Sequence, residues 1–189
     1  MTRLFSIRPA ITLRGRANKG IRGLAGKPTH PPLTDVPVAA YILTAIFDVL
    51  SKVLGSDSSA GAHLYVAASY VMLAGVIVSV PTALTGFWDW KTSTPPHTQA
   101  WRTANWHMAV MLTVTAIVVV DLVLRWGRLY AAGPSATVLV LSVVVGALVT
   151  YGAAYGGSLV YDYGFNVETA GDSPVWHESE ADVLPGQKG

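Results

Sequence analysis

SATVLVLSVVVGALVTYGAAYGGSLV, the stretch Ser135–Val160, holds 26 residues without one charged side chain. As an α-helix rising about 1.5 Å per residue it is ~39 Å long, enough to cross a hydrocarbon core of about 30 Å. A helix satisfies every backbone amide within such a segment, so the stretch reads as a membrane span. Three further apolar stretches precede it, at Leu33–Leu54, Ala62–Thr85 and Trp101–Trp126, with short polar connectors between. The expected fold is all-α, an integral membrane four-helix bundle with short loops.

Composition agrees. The 189 residues are 51% hydrophobic and only 13% charged, with a mean hydropathy of +0.43, whereas soluble domains carry about 25% charged residues. The spans leave no room for a sizeable soluble domain. The chain has no cysteine, which excludes disulfides, thiolate metal sites, Cys-ligated clusters and Cys nucleophiles. Any metal or cofactor must rely on His, carboxylates or Met. No nucleophile elbow, Walker loop or zinc-protease helix is present, and Trp88, Trp90, Trp101, Trp106 and Trp126 fall near span ends, where interfacial anchoring accounts for them.

The net charge of +2 conceals an asymmetry. Residues 1–29 hold Arg3, Arg8, Arg14, Arg16, Lys19, Arg22 and Lys27 and no acid, while the chain from Asp162 onward holds six acids against Lys188 alone. The organisation expected is a basic, irregular arm over 1–29, a four-span domain over 30–165 and an acidic, irregular tail over 166–189. The arm's cations are too dispersed, with no apolar core among them, for a signal peptide. With four spans the termini share a side, and that side holds ten of the thirteen Lys and Arg residues. The charge bias therefore puts both termini in the cytoplasm, in a bacterial cytoplasmic (inner) membrane. Near a bilayer such cations meet anionic lipid, at about 1 kcal/mol each, rather than nucleic acid.

Small residues mark the packing faces. Gly75 and Ser79 lie four apart on the second span, and Gly152 with Gly156 and Ala153 with Gly157 do so on the fourth, so helix backbones can approach there. Pro81 is expected to kink the second span, and Gly86-Phe87-Trp88-Asp89-Trp90-Lys91 to leave the membrane after it. Asp48 and Asp121 are intramembrane acids, each followed four residues later by a cation, Lys52 and Arg125. That spacing suits structural ion pairs more than a proton path.

Topology sorts the histidines. His63 begins the second span on the outer side, about 30 Å from His30, His97 and His107 on the inner side. His30 and His107 are the candidate metal ligands. Two facing histidines on separate helices can hold a b-type haem through neutral imidazole, or hydrogen-bond a quinone headgroup. His30, Asp89, Arg102, His107 and Tyr161 converge from different segments on one side and form the candidate cofactor pocket, with Arg102 facing a propionate or reduced headgroup. The plainer alternative is that His107 bonds another helix and His30 caps the first.

His30-Pro31, Gly86 with Asp89, His107, and the closing string Gly156-Gly157-Ser158-Leu159-Val160-Tyr161 with Gly164 and Val167 form an ordered set. This set resembles a bacterial family of predicted four-span membrane proteins catalogued as domain of unknown function 2231. The resemblance covers about residues 30–167, and Met111 stands where the family pattern has Asn. Members sometimes sit beside Rieske-type iron–sulfur domains, which implies a setting in membrane redox chemistry. In a chain without cysteine, such a cluster would belong to a partner subunit.

Two functions follow as expectations. One is a redox-associated membrane component with a cytoplasmic-side haem or quinone pocket. The other is a non-catalytic accessory subunit that binds partners in a larger membrane complex, a redox complex among the candidates, through its helices, basic arm and acidic tail. A transporter is the weaker third reading, since four spans are few and no inverted repeat is visible.

Overall fold

A computed structural model describes residues 20–23 and 27–167. The expected tail except for 166 and 167, and the arm except for 20–23 and 27–29, lie outside the described residues. Four helices make the fold: α1 (His30–Leu54), α2 (Ser59–Ser93), α3 (Gln99–Trp126) and α4 (Ala136–Tyr161). Each is long and apolar enough to cross a membrane.

Local chemistry sets the boundaries. Pro31 and Pro32 occupy the first turn of α1, where the missing amides have no helical partner in any case. The side chains of Ser58, Thr98 and Ser135 cap the next three helices, accepting from the amides of Gly61, Trp101 and Val138 at 3.2, 3.1 and 3.4 Å. Gly55 ends α1 at φ +84, a conformation that favours glycine. Within the helices Thr44, Ser69, Thr85, Thr113 and Thr150 donate to the carbonyl four residues back, so their hydroxyls need no water.

The sequence places the helix ends within three residues of these limits, with one exception. The segment Gly86–Lys91, expected to leave the membrane as a loop, continues as the last turns of α2, and the helix runs unbroken through Pro81. Hydropathy falls there, but helicity does not depend on it. At 35 residues α2 is ~52 Å long, well beyond an apolar core of about 30 Å.

Among the described residues α1 packs on α2 and α4, and α3 packs on α2 and α4. The diagonal pairs α1/α3 and α2/α4 share no close backbone contact. The bundle is therefore four-sided, with α1/α2 the most intimate edge and α2/α3 the loosest. Its central layer is Ala40, Tyr41, Met72, Val114, Val118, Val145 and Val149. Ile77, Leu84, Val123 and Val140 point outward, apolar surface suited to lipid. Gly75 lets the Tyr41 ring close on α2, since a Cβ there would lie 2.7 Å from Cε1. The Tyr41 hydroxyl lies 2.7 Å from Ser79 Oγ. Gly152 receives Met111 and Val110 in the same way, whereas Gly157 meets no neighbouring helix, only its own Tyr161.

Candidate functional site

Two polar layers cross the bundle, one toward each end. The far end carries the α1–α2 and α3–α4 turns, and the near end carries His30, Tyr161 and the α2–α3 turn.

At the far end Asp48, Asp121 and Arg125 are all fully buried. Arg125 reaches from α3 across the bundle axis to α1, a pair of helices with no close backbone contact. Its Nη1 donates to Asp48 Oδ1 at 3.0 Å and its Nη2 to Asp48 Oδ2. Its other edge serves Asp121, with Nε to Oδ1 at 3.0 Å and Nη2 to Oδ2 at 3.2 Å. The Tyr65 ring of α2 lies under the guanidinium, 5.6 Å from centroid to Cζ. The partner expected for Asp48 was Lys52. The structure gives it Arg125 instead, and Lys52 is exposed. A lysine at a helix end extends its ammonium to water, while the planar guanidinium can serve two carboxylates at once.

At the near end the two histidines are built alike. His30 Nδ1 lies 3.0 Å from the Thr82 carbonyl oxygen of α2, with Thr85 Oγ1 at 3.5 Å. His107 Nδ1 lies 2.8 Å from the Gly152 carbonyl oxygen of α4. A carbonyl oxygen only accepts, so each Nδ1 carries the proton and each Nε2 presents its lone pair. Neither Nε2 is hydrogen-bonded among the described residues. Both rings rest against glycine. A Cβ on Gly86 would lie 2.5 Å from His30 Cε1, and one on Gly156 would lie 3.2 Å from His107 Cε1. The rings are near enough to interact electrostatically, and they come from α1 and α3, diagonal helices that both face the axis.

The rest of the expected pocket divides. Asp89 lies three residues beyond Gly86 on α2. Its carboxyl is buried, with Oδ1 unpartnered among the described residues, and the Ile21 backbone amide faces it. Residues 20–23 and 27–29 fold back on themselves there, through an antiparallel bridge between Arg22 and Pro28 and a 3.1 Å bond from the Thr29 amide to Ile21 O. Arg102 is exposed, and Tyr161 is 87% exposed. The structure brings His30, Asp89 and His107 to one end of the interior and leaves the other two outside. His97 sits exposed in the α2–α3 turn, its ring 5.8 Å from that of Trp101. No group of three or more His, Cys, Asp or Glu side chains suited to a metal ion occurs among the described residues.

Sequence reasoning missed Tyr65 under the guanidinium and the seat of His30 at Thr82, Thr85 and Gly86. It also missed the bond from Trp90 Nε1 to Asn105 Oδ1, 2.8 Å, that joins α2 to α3. The helical spacing of Thr82, Thr85, Gly86 and Asp89 was the available signal, a small and polar stripe on one face of α2.

Comparison with curated proteins finds no match, nor does comparison with solved structures. The profile of a family described as "Predicted membrane protein (DUF2231)" matches residues 26–169. That interval takes in all four helices and both polar layers, and the chain belongs to this family of predicted membrane proteins.

Proposed function

We propose that this chain is a redox component of the membrane that binds a b-type haem at the near end, with His30 and His107 Nε2 as the two iron ligands. The observation that carries this reading is the matched pair of histidines. Each ring is fixed by an Nδ1–H bond to a helix carbonyl, as metal-ligating imidazoles commonly are, and neither Nε2 has a hydrogen bond among the described residues. Gly86 and Gly156 supply the close backbone approach that seats the rings. Haem contributes one-electron chemistry when bound. The protein contributes tautomer, orientation and an apolar surround. The Lys and Arg distribution favours the cytoplasmic face for this end. A reduced quinone, whose hydroxyls donate to the same Nε2 atoms, is the second reading, favoured by the buried Asp89 carboxyl one turn beyond the His30 seat.

A reduced-minus-oxidised spectrum tests the haem. The full chain is expressed with ample haem and purified gently in detergent. A haem α-band is expected that is lost in both His30→Ala and His107→Ala while the helical circular dichroism persists. Absence of the band, with quinone in the solvent extract, moves the assignment to the second reading. Absence of both, with other subunits co-purifying in fixed ratio, leaves an accessory subunit whose histidines hold helices together.

A further inference from the structure

The far-end cluster has no part in the electron carrier proposed above, and its charges do not balance. Asp48 and Asp121 contribute two negative charges and Arg125 one positive, all fully buried. The surroundings supply no second cation among the described residues. α2 presents Tyr65, α4 presents only Val138, Ser142 and Val145, and Lys52, Asp57, His63 and Arg128 are exposed. A net charge held inside a bundle that faces hydrocarbon is strongly unfavourable, and an acid in that position neutralises itself by taking up a proton.

The geometry says which acid. Asp48 and Asp121 both place Oδ2 against the same nitrogen, Arg125 Nη2. Two carboxylates drawn together in this way share one proton more readily than both ionise. Asp48 takes the end-on fork of the guanidinium, through Nη1 and Nη2. Asp121 is held at 3.0 and 3.2 Å along the side edge. A second, independent observation lies on the same buried face of α1. Ser51, three residues past Asp48 and 1% exposed, has a sealed Oγ with no hydrogen-bond partner among the described residues. The α3–α4 turn closes over it, with a Cβ on Gly133 falling 3.3 Å from that oxygen. Ser51 thus leaves donor and acceptor capacity unused about one turn beyond Asp48 along α1.

We propose that this cluster is a proton-binding site. Asp121 carries one exchangeable proton, the bonded pair of Asp48 and Arg125 holds it in place, and the proton enters from water at the far face past Ser51. Uptake converts the Asp121 carboxylate to a carboxylic acid and takes the cluster from minus one to neutral, with no electron transferred. A metal cation does not fit, because the guanidinium already occupies both carboxylate edges.

Infrared spectroscopy of the full chain in lipid, at neutral pH, tests this. The carbonyl stretch of a buried carboxylic acid is expected, shifting on transfer to heavy water. It is expected to vanish in Asp121→Asn, the neutral isostere of the protonated acid, and to persist in Asp89→Asn, which removes the buried acid of the near end. No protonated carboxyl in the unaltered protein overturns the proposal without recourse to any variant. A band that survives in folded Asp121→Asn, or is lost only in Asp48→Asn or Asp89→Asn, overturns it as well.

Discussion

The two ends of the bundle solve the same problem in opposite ways. Both carry polar side chains from α1 and α3 into the bundle interior. At the far end Asp48, Asp121 and Arg125 occupy one another, and the guanidinium meets both carboxylates. At the near end each histidine ring gives one nitrogen to a neighbouring helix and keeps the other unengaged among the described residues. A layer whose members are mutually saturated ties helices together. A layer that keeps one nitrogen of each ring unengaged among the described residues ties each ring to a single neighbouring helix.

The largest effect should come from breaking the saturated layer. Arg125→Met leaves Asp48 and Asp121 buried without their cation and should destabilise the fold by about 3–5 kcal/mol, the range for removing one partner of a buried pair. Unfolding of the variant in detergent micelles measures this, and replacing Asp48 and Asp121 by Asn in the same chain should restore much of the loss. Breaking the open layer should cost less. Gly86→Ala drives a methyl into the His30 ring and should destabilise by about 1–3 kcal/mol, the usual range for overpacking, with Gly75→Ala against Tyr41 similar. Gly157→Ala has no such neighbour, so the same melts should find it neutral or better.

Between the two layers, Tyr41→Phe removes the hydroxyl that meets Ser79. It should cost about 1 kcal/mol, that of one hydrogen bond, in the same unfolding assay. The smallest effect sharpens the comparison. Lys52→Gln should change stability by no more than about 0.5 kcal/mol, as an exposed substitution does. A large loss there would mean that Asp48 depends on its local cation after all.

Number and placement of the helices were legible because long uncharged runs admit one backbone solution in lipid. The C-terminal end of α2 was not. Hydropathy reports where apolar surface stops, and Phe87 to Lys91 stay helical past that point. The partner of Asp48 was hidden for a different reason. Lys52 is four residues away and Arg125 is 77, and only packing brings the distant side chain nearer than the local one. The histidine layer was half visible: His30, Asp89 and His107 were picked out by residue type and side of the membrane. Which of them turn inward depends on helix rotation, and a weakly periodic apolar sequence leaves that open. Arg102 and Tyr161 lay at the correct depth and faced the wrong way. Gly86 stood out in the sequence without its reason, which is a ring belonging to another helix.

Arg125 also has a mechanical meaning. Four rods joined side by side form a frame that shears easily, and one tied diagonal makes it stiff. Among the described residues, the reach from α3 to Asp48 ties that diagonal at one end only. Any spreading of the helices must then pivot about the braced end and grow along the rods, so the displacement is greatest where the histidine rings sit. The frame opens like a tapered clip, hinged at its charges and widest at its imidazoles.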